Sequence, residues 1–211
     1  MVWYEAPGHR PQCEDELVIA ALYVQKNGCY FGLPDVDPWD EERDARLYAG
    51  PHPVVAHPPC ARWCRLAGLV ESRYPHCKQG EDGGCFAAAL AAVHRWGGVL
   101  EHPAWSAAWP AHDLPTPKRG AWIRGFRGGW VTEVAQVRYG HRAQKLTWLY
   151  YVGEAPPPAL DWRLSAHSAR VSYCQNRSRP RVGMMHAKER SATPPAFRDL
   201  LPDIARSARG H

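Results

Sequence analysis

Two short apolar runs in this chain each stop at a histidine–proline step: Val54-Val55-Ala56-His57-Pro58-Pro59-Cys60 and Val99-Leu100-Glu101-His102-Pro103. Proline fixes φ and has no amide hydrogen, so neither run continues as a helix or a central strand beyond that point. A few apolar residues before such a stop suit a short buried strand. Both stops place reactive side chains at strand ends. The first brings a thiol, Cys60, and the second a carboxyl group, Glu101.

The remaining periodicities fill in a frame around these two strands. Leu17 to Val24 is a continuous apolar run and reads as a further buried strand. The charged stretch Pro38 to Leu47 predicts a helix, with Asp37 or Asp40 as its cap. Cys85 to Trp96 predicts a second helix that stops at Gly97-Gly98. Trp130 to Val134 and Trp148 to Gly153 read as strands. A closing helix is expected after Thr193, its cap, with Pro194 in the first turn and Arg206 near the end. Alternating strands and helices predict an α/β fold: one three-layer, Rossmann-like domain with a largely parallel sheet and reactive residues at the C-terminal ends of its strands. Pro156-Pro157-Pro158 is the expected boundary. Residues 1–155 would form the core, and residues 159–211 a basic C-terminal segment ending in the helix and packed on that core.

Composition narrows the class. A hydrophobic fraction of 45% with ten tryptophans is enough for a core and excludes a largely disordered chain. No apolar run approaches the eighteen residues of a membrane-spanning helix. The first residues lack the charged head and apolar stretch of a signal peptide, so a cytoplasmic protein is expected. Seven cysteines in that compartment read as thiols, ligands or a nucleophile rather than a disulfide framework. The net charge of +5 is unevenly spread: residues 1–50 carry four basic and ten acidic side chains, and residues 163–211 carry ten basic and three acidic ones. A basic C-terminal segment suggests a polyanion partner, nucleic acid being the usual one; mutual neutralisation of the two ends is the plainer account.

A thiol and a carboxyl group on neighbouring strand ends form a usable chemical pair. The thiolate adds to an electron-poor carbon, and the carboxyl group protonates the anion that develops. On these residues the chain resembles the DNA cytosine methyltransferases that act at carbon 5, as a reduced relative of phage type. Pro58-Pro59-Cys60 matches the family's Pro-Pro-Cys loop, and Glu101-His102-Pro103 matches in part its Glu-Asn-Val or Glu-Asn-Pro motif. Tyr139-Gly140 through Lys145 and Thr147, followed by the apolar run to Gly153, loosely matches a third motif. The resemblance covers residues 54–153 and implies DNA base modification, with Cys60 attacking carbon 6 of cytosine and Glu101 holding the ring edge and supplying a proton. Lys145 would help place the base and the catalytic loop. The base would be flipped out or taken from a single strand, with Trp63 and Trp105 as stacking surfaces. His57, Pro59, Arg62, His102, Tyr139, His141 and Thr147 complete the expected nucleic-acid contacts; for His57 and His102 the plainer reading is exposed turn residues.

The resemblance also implies S-adenosylmethionine as donor, yet the family's glycine-rich loop is missing. Gln25-Lys26-Asn27-Gly28-Cys29-Tyr30-Phe31-Gly32 stands in its place. The large target-recognition domain is missing too, which leaves room for another donor or a partner protein. Two other readings stay open. One is a non-catalytic nucleic-acid-binding protein that retains the base pocket. The other is a metal-stabilised regulatory protein using Cys60, Cys64, Cys77 and Cys85 with His76, although their spacing is not a paired-clasp pattern and no metal is expected. Cys13, Cys29 and Cys174 read as packed or incidental thiols. The acidic stretch from Asp35 to Glu42 is simplest as a solvated surface.

Overall fold

A computed structural model describes residues 17–125, 128–166, 168–170 and 183–209. Its main sheet has seven strands: β1 (Ile19–Leu22), β2 (Val36–Trp39), β3 (Val54–Ala56), β4 (Gly98–Pro103), β5 (Ile123–Arg124), β6 (Trp130–Ala135) and β7 (Leu146–Val152). Their spatial order is β2-β1-β3-β4-β7-β6-β5, and a separate two-stranded ribbon joins β8 (Ala169–Arg170) to β9 (Gly183–Met184). The helices are α1 (Ala67–Arg73), α2 (Cys85–Trp96), α3 (Ala108–Ala111), α4 (Ala187–Ser191) and α5 (Pro195–Arg206).

The fold is mixed α/β, and the expected largely parallel sheet is corrected. β2, β1, β3 and β4 run parallel, whereas β7 pairs antiparallel with β4 and β6 over longer ladders and β5 adds a short antiparallel edge. The connections explain the change. α1 and α2 lie between β3 and β4 and give the chain the length to return in the same direction, while β6 reaches β7 through the short segment 136–145. A connection of that size suits antiparallel neighbours.

Period-2 alternation divides the core between two faces of the sheet. On one face Phe86, Ala89, Leu90 and Val93 of α2 pack with Ala20, Leu22, Val54, Ala56, Leu100, Trp148 and Tyr150. On the other, Phe197, Leu201, Ile204 and Ala205 of α5 pack with Ile19, Ala21, Val55, Val99, Leu149 and Tyr151. Each fully buried phenylalanine supplies roughly 1.5–3 kcal/mol of transfer free energy, so both helices are integral to the core.

The expected helix over Pro38 to Leu47 is absent. Val36–Trp39 is an edge strand paired with β1, and an edge tolerates Pro38. Asp40 then accepts the amides of Glu42 and Arg43 in a turn. Asp44 takes a left-handed φ of 48°, and only the single 3-10 turn Ala45–Leu47 follows. At the other end, Pro194 rather than Thr193 is the cap residue of α5. α2 runs over the predicted residues, with Gly97 at φ 76° closing it through an N–H bond to Val93 O.

Candidate functional site at the ends of β3 and β4

The chain steps from β1 to β2 on one side and then crosses to β3 on the other, so the strand order reverses between β1 and β3. Clefts in α/β sheets open outside the C-terminal strand ends at such a reversal. β3 delivers His57 there, with its amide bonded to Leu22 O at 3.0 Å. Beyond Pro58-Pro59, the Cys60 carbonyl accepts the amides of Trp63 and Cys64 at 3.0 and 2.8 Å, which makes a tight turn. β4 delivers Glu101 on the neighbouring strand.

Side-chain alternation decides which residues meet. Glu101 follows Val99 onto the α5 side, and His57 follows Val55 onto the same side. His57 Nδ1 lies 3.1 Å from Glu101 Oε2. Its other ring nitrogen, Nε2, lies 2.8 Å from the hydroxyl of Tyr30, a residue only 3% exposed in the loop after β1. Glu101 Oε1 has Gln136 Nε2 at 3.5 Å, while Gln136 bonds more closely to Thr147 Oγ1, at 2.9 Å. Lys145, at a left-handed φ of 32°, donates from Nζ to Ala192 O at 3.0 Å.

Charge ties Cys60 to this group. Burial is the largest single influence on Glu101 and opposes its ionisation, but the His57 hydrogen bond and the neighbouring fields of His57, Lys145 and His102 together outweigh it, and the carboxyl is held below its ordinary range. Burial pushes the Cys60 thiol up; Glu101 and Cys64 add to the rise, and Lys145 only partly offsets it. Burial pushes Lys145 down against the pull of Glu101 and Cys60. The resting site therefore holds a neutral thiol beside an ionised carboxylate.

The structure brings together Cys60, Glu101, His57, Lys145 and Thr147, keeps Pro59 and Arg62 in the Cys60 turn, and turns the side chains of His102, Trp63, Tyr139 and His141 to other surroundings. His102 points to the opposite face because its neighbour Glu101 points to this one. Its Nδ1 is 2.7 Å from Ser106 Oγ, its ring packs on Phe86 and Trp109, and burial drives it down to about 4. It is a core residue. Trp63 is also buried, with Nε1 donating to Asp82 at 2.7 Å and its ring against Phe86, so it offers no stacking face. Tyr139 packs on Phe197 and receives the Asp161 amide. His141 is buried and bonded to the Ala143 backbone. Arg62 is half-buried and Pro59 exposed.

Trp105 is the exception, 53% exposed at a φ of 62°. Its segment is joined to the Cys60 turn by the Ala107 amide, 2.8 Å from Trp63 O. Beyond that turn Leu66, Leu69, Val70 and Tyr74, on and beside α1, are exposed as well.

Sequence reasoning missed Tyr30 and Gln136. Tyr30 lies in an irregular loop with no periodicity to point to it. Gln136 follows β6 directly, and a polar residue at a strand end was the available signal.

The basic C-terminal segment is partly outside the described residues, including Arg177, Arg179 and Arg181. Of those described, Arg163, Arg198 and Arg206 pair with Asp161, Asp199 and Asp203. Cys13 and Cys174 also lie outside. Cys29, Cys60, Cys64, Cys77 and Cys85 are free thiols, and among the described residues no three His, Cys, Asp or Glu side chains converge as metal ligands. No described helix is long and apolar enough to cross a membrane.

A cavity of about 380 Å³ opens beyond β1 and β2, lined by Val24, Gln25, Lys26, Asp40, Glu41 and Glu42. Its polar groups are largely committed to each other: Lys26 pairs with Glu42, and Asp40 caps its own turn. A Cβ on Gly28 would meet Gln25 O at 2.7 Å, within the same turn, and one on Gly32 would meet nothing within 4 Å. Residues 25–32 thus lack the glycine-rich loop that the resemblance implies for S-adenosylmethionine. No family model, curated protein or solved structure matches the chain.

Proposed function

We propose that this chain modifies carbon 5 of a pyrimidine base in nucleic acid, most naturally DNA, through a covalent Cys60 adduct. One observation carries the reading: Cys60 and Glu101 lie at the ends of the neighbouring strands β3 and β4, and Lys145 enters the adjacent β7 at the same end of the sheet, where burial and mutual fields favour a neutral thiol and an ionised carboxylate. This protonation state suits conjugate addition. As the Cys60 sulfur bonds to carbon 6, its proton passes to Glu101 and from there to ring nitrogen 3. The 5,6 double bond is lost, a 4,5 double bond forms, and carbon 5 becomes nucleophilic. Lys145 steadies the thiolate while the bond is made.

With only water present, carbon 5 takes a solvent proton and gives up its original hydrogen when Cys60 leaves. The minimal reaction is thus hydrogen exchange, and it needs no donor. Transfer of a group would require an electrophilic donor to meet the same carbon.

The test is release of deuterium from 5-deuterocytosine in single-stranded and duplex DNA. Release by the parent, abolished by Cys60→Ser and kept by Cys64→Ser, is the expected result. No release from either substrate, with DNA binding unchanged in Cys60→Ser, would make the non-catalytic nucleic-acid-binding protein the better account.

A further inference from the structure

His57 has no ring nitrogen left for a substrate. Nδ1 faces Glu101 Oε2 at 3.1 Å and Nε2 faces the Tyr30 hydroxyl at 2.8 Å. We propose that Tyr30 and His57 are positioning residues: a fixed hydrogen-bonded chain that commits Glu101 Oε2 to His57 and leaves Oε1 as the oxygen that exchanges a proton with Cys60 and the base. The inference rests on the reading above and adds a division of labour within the carboxylate.

The direction of each bond follows from donor and acceptor capacity. An ionised carboxylate only accepts, so His57 Nδ1 carries the hydrogen. Tyr30 is buried and kept a neutral phenol, its ionisation raised well above 10 by burial first and by Cys29 and Glu101 next. Its O–H is placed to donate to Nε2, and the proposed chain runs from the Tyr30 O–H to Nε2 and from Nδ1–H to Glu101, which selects the Nδ1–H tautomer. The logic is that of a base oriented by a third group, here with the carboxylate as the working end.

Oε1 is the less committed oxygen, because Gln136 Nε2 is at 3.5 Å from it but at 2.9 Å from Thr147 Oγ1. The titratable groups facing Glu101 are His57 from the end of β3, Tyr30 from the loop after β1, Cys60 from the turn and Lys145 from the segment before β7, while His102, next along β4, acts on it from the opposite face of the sheet. His57 alone hydrogen-bonds the carboxylate closely. Burial of Glu101 favours its neutral form, and the hydrogen bond from His57 is the largest of the contacts that oppose this.

The experiment titrates Glu101 by carbon-13 NMR and reads the His57 tautomer by nitrogen-15 NMR, with deuterium release measured across pH in parallel. His57→Leu should raise the Glu101 midpoint by about one pH unit or more, as loss of a hydrogen bond to the charged form requires. His57→Gln, which can still donate an N–H, should restore most of the shift. Tyr30→Phe should replace the single Nδ1–H tautomer with a mixture. The acid limb of deuterium release should follow the Glu101 midpoint upward in His57→Leu. An unmoved midpoint, or an Nε2–H tautomer in the parent, overturns the inference. If His57→Leu does not fold, the Tyr30→Phe spectrum decides. Titration shifts as expected with no deuterium release would keep the chain and remove the base-modification reading; release whose acid limb ignores the Glu101 midpoint would do the reverse.

Discussion

A Cβ on Gly98 would come 2.0 Å from the carbonyl oxygen of Val54. That close approach opens the parallel β3–β4 ladder, which runs Val54 to Gly98, Val55 to Val99 and Ala56 to Leu100. The next step along each strand is His57 and Glu101. The register of the candidate site is therefore set three residues upstream, where only a glycine lets the two backbones meet at a φ of 119°.

Gly98→Ala should accordingly destabilise the whole domain. Left-handed strain and overpacking against backbone together cost about 3 kcal/mol or more. Urea denaturation of parent and variant measures it. An unchanged midpoint would show that the strands can separate without penalty, and the register argument would fall.

How much of this could be seen beforehand depended on whether local chemistry or long-range pairing decided the outcome. β3, α2 and the ends of β4 were legible because prolines and glycines stop them whatever surrounds them. β2 was not, because the charged segment Pro38 to Leu47 is helix-compatible by itself and becomes an edge strand only through pairing with β1. Cys60 and Glu101 were legible as strand-end residues. The separation of Glu101 from His102 follows from alternation along β4, although the His-Pro step shared by the two strand ends suggests one cleft for both. Tyr30 could not be found at all: its partner is 27 positions away, and no pattern in the sequence joins them.

His102 supplies a pH dependence with a definite sign. Its folded-state value, about 4, lies below the ordinary 6.5, so between those limits the unfolded chain binds the extra proton. Stability is then fully present above about pH 6.5 and declines as pH falls towards 4, by on the order of 3 kcal/mol in total. His102→Asn, which cannot titrate, should show a flatter decline than the parent in urea melts at pH 7 and pH 4.5. Parallel declines would mean that the imidazole is not held neutral.

Cys60 should behave as a slow thiol whose reactivity answers to two neighbours in opposite senses. Burial suppresses its ionisation first, Glu101 suppresses it further, and Lys145 favours it. Iodoacetamide labelling at pH 8, read on the Cys60 peptide by mass spectrometry, should speed up several-fold in Glu101→Gln and slow in Lys145→Met, since the thiolate is the reacting form. Equal rates in all three proteins would place Cys60 outside the field of both side chains and dissolve the cluster.

Trp105 separates binding from stability. A large aromatic residue at φ 62° that remains 53% exposed carries backbone strain of about 1–3 kcal/mol without the burial that would offset it. Trp105→Gly should therefore leave the protein as stable as the parent or slightly more so. If the ring is a stacking face for a base brought to Cys60, the same change should weaken binding of a short single-stranded oligonucleotide by roughly 5–150-fold, the equivalent of about 1–3 kcal/mol per stacked base. Fluorescence anisotropy at fixed salt reads the affinity and a urea melt reads the stability. A loss of stability with unchanged affinity would make Trp105 a structural residue and remove it from the nucleic-acid contacts.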